Sequence, residues 1–212
     1  SDNILVNVLA TELKEERGKI LTTYLNTQSN KFAAIESDFV VLATPRFIAN
    51  RLVPDYVQSP VPEYVPTYAP WMVANISLRQ LPDGQGALPA WDNVSYYSQS
   101  LGYVVANHQE ITTRFKPTVI TYYFPLSQQE PKLARKALYA ASTEEWSKSI
   151  VKDLEKMHPG IGNEIISIDL WPWGHGMVRP SVGEIWGESR QSMKEPRGNV
   201  FFAHSDMSGI SN

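Results

Sequence analysis

Apolar residues fall in short aliphatic runs over the first two thirds of the chain and take up a helical rhythm only toward its end. Ile4 to Leu13 (ILVNVLATEL) is rich in β-branched and aliphatic residues, a charged turn with Gly18 (KEERGK) follows, and Ile20 to Leu25 supplies a returning strand. Past the polar corner 26–30, Phe32 to Ile35 adds a third short strand. Phe39 to Ala43 (FVVLA) is continuously apolar, the pattern of a strand buried on both faces. It ends in Thr44-Pro45-Arg46, and RFIANRLV turns helical just after the proline, whose fixed φ suits a first helical position.

Pro54, Pro60, Pro62, Pro66 and Pro70 then fall in one span. Such a segment is extended and unfit for a central strand, because each proline withholds a ladder donor. It reads as a crossover between domains. Beyond it, Met72 to Leu78, Ser95 to Tyr97, Tyr103 to Asn107 and Thr118 to Phe124 read as strands of a second sheet, with Pro82-Asp83-Gly84 as a turn. Glu130 to Ala141 is a short helix with Pro131 in its first turn, and Ser142-Thr143-Glu144-Glu145 spells a capping box. Trp146, Ile150, Val151, Leu154 and Met157 follow at helical spacing, one stripe that should lie on the second sheet until His158-Pro159-Gly160 stops the helix. Ile165 to Leu170 and Val200 to Ala203 are the last strands, so the chain reads as α+β, a mixed sheet with helices on one face beside a meander.

Composition narrows the classes. With 212 residues, 42% of them hydrophobic and 19% charged, the chain can bury a globular core as one large domain or two small ones. A net charge of −3 gives no basic footprint for nucleic acid or an anionic membrane surface. The lack of cysteine excludes disulfides, thiolate catalysis and zinc ribbons. No apolar stretch approaches the ~20 residues that span a bilayer, and no signal-peptide layout opens the chain, though a piece of a longer protein would not carry its parent's leader; the location stays open, with the cytoplasm as the favoured expectation.

Four features carry candidate chemistry. The strand exits FVVLATPR and NVFFAHSD end in small residues, as a sheet needs where a ligand lies against its carboxyl edge; two core strands with ordinary exits is the plainer account. Trp171-Pro172-Trp173-Gly174-His175-Gly176 offers aromatic area for a flat ring, glycines for close approach and a titratable group for proton traffic, or else a packed aromatic corner. Aromatic density from Tyr64 to Tyr123, with Tyr122 among it, suits an apolar substrate cavity and suits strand cores equally. His108, Arg114 and Lys116 have no metal-ligand spacing and read as a solvated edge.

These segments resemble the C-terminal half of the FAD-dependent amine oxidase and phytoene desaturase-like flavoproteins, of the NAD/FAD-utilising type. In that family a meander similar to NILVNVLATELKEERGKILTTYLN leads into a strand ending Ala43-Thr44-Pro45, a substrate domain follows, and the chain returns through a segment like GNVFFAHSD. The family's Phe-Phe-Ala-Gly is followed by an acidic residue that binds the ribityl chain of FAD. The resemblance thus implies Asp206 for that role, with Ser208, Gly209 and Ile210 facing the flavin, Ala43, Thr44 and Pro45 against the cofactor, and His204 standing where the family usually has glycine. As a loop carboxylate, Asp206 is expected to matter to the cofactor and little to the fold. It further implies a small-molecule substrate met by Trp171, Trp173 and Tyr122, with His175 catalytic. The family's amine oxidases carry a lysine on the first strand of the substrate domain, and Trp71 to Leu78 has none, so desaturation or dehydrogenation stands open beside amine oxidation.

The dinucleotide fingerprint G-x-G-x-x-G is nowhere in the sequence, and GNVFFAHSDMSGISN closes where a helix would begin. The chain is therefore expected to be a piece of a longer protein, with the remainder of the parent chain as partner, inactive by itself and holding FAD only weakly. Its expected parts are residues 1–53 (partial FAD-binding domain), 54–170 (substrate-binding domain) and 171–212 (return segment). The competing reading is a non-enzymatic ligand-binding module with an aromatic groove.

Overall fold

The computed structural model describes residues 3–53, 66–81, 90–105 and 117–208. The fold is α+β and divides into two compact units, Ser1–Thr67 with Val178–Asn212, and Tyr68–Met177.

In the first unit, β1 (Val8–Glu16), β2 (Lys19–Asn26) and β3 (Lys31–Ser37) form an antiparallel meander. Glu16 pairs with Lys19 across a two-residue turn in which Arg17 (φ 52°) and Gly18 (φ 76°) are both left-handed, the geometry that matches strand twist. At the next corner Asn26 Oδ1 accepts from the Gln28 and Ser29 amides at 3.1 and 2.9 Å. The first strand starts at Val8 rather than Ile4, because Asn7 is left-handed (φ 58°) and breaks the extended run.

β4 (Val40–Leu42) pairs in parallel with β10 (Val200–Phe202), Val200 opposite Val40 and Phe202 opposite Leu42. Between them in sequence lie α1 (Arg46–Leu52) and, within this unit, α4 (Glu188–Lys194). The core gathers Leu13, Ile20, Leu42, Ala49, Leu52, Val53 and Val200. Strand alternation explains why only one face of β4 is covered: Leu42 is buried while Phe39 is 64% and Val41 61% exposed, against the expectation of burial on both faces. The helix α4 is an element that the hydrophobic pattern does not announce. It has only seven residues, its N-cap Gly187 offers no side-chain bond, and Arg190 and Met193 alone turn inward.

The second unit is a five-stranded sheet in the order β6-β7-β8-β5-β9. Its strands are β5 (Tyr68–Leu78), β6 (Asp92–Asn93), β7 (Tyr103–Val105), β8 (Thr118–Pro125) and β9 (Ile165–Val178). β5 and β8 are antiparallel from Trp71 opposite Pro125 to Leu78 opposite Thr118. Pro70 thus lies inside a strand after all. It stands at the end of the β5–β8 ladder, where its carbonyl accepts from the Leu126 amide at 2.9 Å and its ring nitrogen has no proton to return. Ser95 to Tyr97, expected as a strand, is a turn closed by Ser98 N–H on the Ser95 carbonyl at 3.1 Å. Tyr96 and Tyr97 are 95% and 85% exposed, so nothing packs there to hold a strand. The Pro82-Asp83-Gly84 turn and residues 54–65 lie outside the described residues.

Two helices complete this unit. α2 (Pro131–Ala140) is capped by Glu130, whose carboxylate accepts from the Lys132 and Leu133 amides at 2.9 and 3.0 Å. α3 (Thr143–Met157) opens on the capping box, Glu145 N–H to Ser142 Oγ at 3.2 Å and Ser142 N–H to Glu145 Oε2 at 2.7 Å. Ile150 and Leu154 are buried with Met72, Ile76, Leu78, Ile120 and Leu138, and Trp146 packs its ring on Phe124 at 6.1 Å. His158 caps the helix end, and Gly160 (φ 90°) takes the left-handed step that leads to β9.

Candidate functional site

The parallel register of β4 and β10 delivers two strand exits side by side. Ala203 N–H bonds the Leu42 carbonyl at 3.0 Å, so Ala43-Thr44-Pro45 and Ala203-His204-Ser205-Asp206 leave the same carboxyl edge. Of the residues that sequence reasoning assigns to a cofactor, Ala43, Thr44, Pro45 and Asp206 therefore lie at one edge. Asp206 sits in a 3-10 turn (Ser205–Met207) and is 2% exposed. Its Oδ2 accepts from the Arg46 backbone N–H at 2.6 Å, and its Oδ1 lies 2.6 Å from His204 Nδ1. The first bond caps α1 from far along the chain, since Pro45 at the N-cap has no side chain that can do so. Thr44 Oγ1 is buried with no hydrogen-bond partner among the described residues. Ser208 Oγ donates to the Ser205 carbonyl at 2.8 Å, while Gly209 and Ile210 lie outside the described residues.

Two buried arginines brace this turn, and sequence reasoning passes over both. Arg46 is 1% exposed, stacks its guanidinium 4.1 Å over the Phe202 ring and donates from Nη1 to the Met193 carbonyl at 3.2 Å. Arg190, 6% exposed, donates from Nη1 to the Met207 carbonyl at 3.2 Å and to the Ser208 carbonyl. One signal was available: a cation in the first turn of a helix opposes the macrodipole, so Arg46 needs a reason to stand there.

The other candidates belong to the second unit. Alternation along β9 puts Trp171, Trp173 and His175 on one face, opposite Ile168, Leu170 and Gly174. Trp171 and Trp173 are 53% and 55% exposed. His175 meets Tyr68 edge-on, ring centroids 5.6 Å apart. Gly176 is required by close approach, since a Cβ there would lie 2.8 Å from Trp71 Cδ1. Tyr122 faces inward, 1% exposed, and donates to Asp153 Oδ2 at 2.8 Å, with burial raising its phenol well above the ordinary range. Asp153 also accepts from Ser98 and Ser100, at 2.5 and 2.9 Å. Burial pushes its carboxyl up, but these bonds and that from Lys156 outweigh it and hold the group below its ordinary value. A second buried pair, Tyr103 Oη and His158 Nε2 at 2.6 Å, ties β7 to the end of α3; burial lifts the Tyr103 phenol to about 12. His108, Arg114 and Lys116 lie outside the described residues, among which no group of three His, Cys, Asp or Glu could hold a metal. Nor is any described helix long and apolar enough to cross a membrane.

No family model matches the chain, and no curated protein matches it in sequence. Among solved structures, the fold is similar to that of cyclohexylamine oxidase from Brevibacterium oxydans IH-35A, with a TM-score of 0.61 and 12% identity over 95% of this chain. The chain spans 43% of that protein's length. Looser likenesses join it to a CLA-producing fatty acid isomerase from P. acnes (TM-score 0.49, 19% identity, 97% of this chain and 44% of that one). Another is OxyS anhydrotetracycline hydroxylase from Streptomyces rimosus (TM-score 0.44, 9% identity, 97% of this chain and 33% of that one).

Proposed function

We propose that the chain is the substrate-binding portion, with adjoining cofactor-binding strands, of a flavin-dependent oxidoreductase that moves hydride from a small organic substrate to FAD. The observation that carries this reading is the meeting of Ala43-Thr44-Pro45 with Ala203-His204-Ser205-Asp206 at one carboxyl edge. The likeness of fold to an amine oxidase supports it.

The residues at this edge fit a flat, hydroxyl-bearing cofactor. Ala43 and Ala203 keep the backbone approachable, and the Thr44 hydroxyl is buried without a partner among the described residues. Asp206 brings a carboxylate, which can accept several donors at once. Ala43, Thr44, Pro45 and Ser208 would hold the cofactor; Asp206, expected from the resemblance to take a ribityl hydroxyl, is buried with its oxygens on Arg46 N–H and His204 Nδ1 and would act from behind the edge, and Gly209 and Ile210 complete the proposed set. Bound FAD would supply the hydride acceptor. The second unit carries candidate substrate-facing side chains of its own. Trp171 and Trp173 offer apolar area to a substrate and His175 an imidazole nitrogen for the proton it releases, while Tyr122, expected with them at the substrate, is buried against Asp153 and supports the sheet from within. β5 carries no lysine, which favours dehydrogenation or desaturation over amine oxidation.

The test is spectroscopic. A longer protein translated from the same reading frame should purify yellow and contain G-x-G-x-x-G between a strand and a helix, while the 212-residue chain binds FAD far more weakly. A colourless longer protein without that fingerprint would leave the aromatic binding module as the better reading.

A further inference from the structure

Two groups compete for His204 Nδ1: Asp206 Oδ1 at 2.6 Å and the Asp206 backbone N–H at 3.3 Å. A bare Nδ1 could take the amide proton, but it would then aim its lone pair at a carboxylate oxygen with no proton between the two acceptors. The amide contact at 3.3 Å is a long, weak bond, whereas the carboxylate contact at 2.6 Å is as short as charge-assisted bonds become. On that comparison the Nδ1–H tautomer, donating to Asp206 Oδ1, is the better fit to the geometry. A neutral imidazole carries one N–H, so Nε2, on the far side of the ring, keeps its lone pair.

The orienting carboxylate is itself held fast. Asp206 is 2% exposed and bound through Oδ2 to Arg46 N–H, and Arg46 is anchored on Phe202 and the Met193 carbonyl. Arg190 fixes the carbonyls of Met207 and Ser208 on the other side of the turn. The His204 side chain, by contrast, is 27% exposed, and among the described residues Nε2 has no partner. A buried orienter behind a partly exposed ring whose second nitrogen has no partner among the described residues is the arrangement that fixes imidazoles for work on a ligand.

We infer that His204 is the residue through which the β4/β10 edge meets its ligand. Nε2 serves as a fixed hydrogen-bond acceptor for a ligand hydroxyl or ring N–H, and Asp206 is the positioning residue behind it. The identity of that ligand rests on the flavin reading, since FAD carries both kinds of donor; the tautomer does not.

Histidine-selective 15N labelling of the 212-residue chain reads the tautomer directly, at about pH 8, above the ordinary histidine range. The His204 signals are identified by their loss in His204→Gln. The expected pattern is a protonated Nδ1 and a bare Nε2. Asp206→Ala should return the ring to the Nε2–H form that dominates free histidine. Asp206→Asn, whose carbonyl oxygen still accepts, should keep a share of the Nδ1–H form and serves where the alanine variant does not fold. An Nε2–H tautomer in the unaltered chain overturns the proposal. FAD is then added. Binding that shifts the Nε2 resonance supports the ligand-facing role. Binding without such a shift overturns that role and leaves the flavin reading intact. A bare Nε2 with no FAD binding supports the oriented dyad and removes only the flavin reading.

Discussion

Replacing Asp206 by alanine asks whether this carboxylate is a brace of the first unit or only a loop residue. α1 has no side-chain cap of its own, and the Arg46 amide is served by Asp206 Oδ2 at 2.6 Å. Loss of an N-terminal cap costs ~0.5–2 kcal/mol, and stranding a buried donor costs ~1–3 kcal/mol. Both figures describe the same bond, so they bracket the effect and do not add. The His204 contact contributes little to the difference, since a ring 27% exposed can turn to water. A loss of about 2 kcal/mol follows. In a chain of this size each kcal/mol moves Tm by about 2–4 °C, so the variant should melt about 4–8 °C lower. Far-UV circular dichroism melts and urea titrations measure it, and Asp206→Asn, which keeps an acceptor for the amide, should recover at least half. This is the reverse of the expectation drawn from sequence, where a loop carboxylate changes stability by no more than ~0.5 kcal/mol. A melting curve for Asp206→Ala that overlays the unaltered chain would refute the brace.

Leu154→Ala empties a fully buried position between α3 and the sheet and should cost ~2–5 kcal/mol by urea denaturation, the spread set by how far Ile150 and Ile120 relax inward. Gly176→Ala drives a methyl to 2.8 Å from Trp71 Cδ1 and should destabilise by ~1–3 kcal/mol, with an altered near-UV tryptophan signal because Trp71 must leave its edge contact with Tyr123. Glu145 is held below its ordinary value of 4.5, first by the Ser142 amide and then by the Ser142 hydroxyl. A carboxylate lowered in the folded state stabilises fully above that ordinary value and loses its contribution as pH falls through the lowered one. Between about pH 5 and pH 3 Glu145→Gln should therefore lose slightly less stability than the unaltered chain, Glu130, Asp153 and Glu155 still supplying the rest of the acid limb, and an identical pH dependence would contradict the assignment.

Elements whose cause is local were readable from the residues. The capping box at Ser142 and Glu145, the stripe Ile150 and Leu154, and the turn at Gly18 each depend on neighbours within a few positions, and each stands where the pattern puts it. What escaped depends on partners far away in sequence. Whether Pro70 lies in a strand turns on where the β8 ladder starts, and whether Ser95 to Tyr97 pairs turns on what packs against Tyr96. The aromatic run from Tyr64 to Tyr123 left core and cavity undecided because strand alternation sends Tyr122 inward to Asp153 while the choice of face is made by the sheet as a whole.

The same distinction explains the candidate edge. Its small residues, Ala43 and Ala203, are visible one strand at a time, but the contacts that set its polar groups join Arg46 to Asp206, Arg46 to Met193 and Arg190 to Met207. Each of these buries a charged group against a backbone partner, so removing one member strands the other, and the cost falls on the turn that carries His204. The braces lie beneath the edge and the small residues upon it. An edge built this way holds its imidazole and carboxylate in place before any ligand arrives, and binding then need not supply the ordering of those side chains, a saving of ~0.5–1.5 kcal/mol for each. That is the physical reason to look for the ligand-facing group among residues whose support is buried, and it is why His204, its side chain 27% exposed and its Nδ1 held by Asp206, stands out against the solvent-exposed polar residues around it.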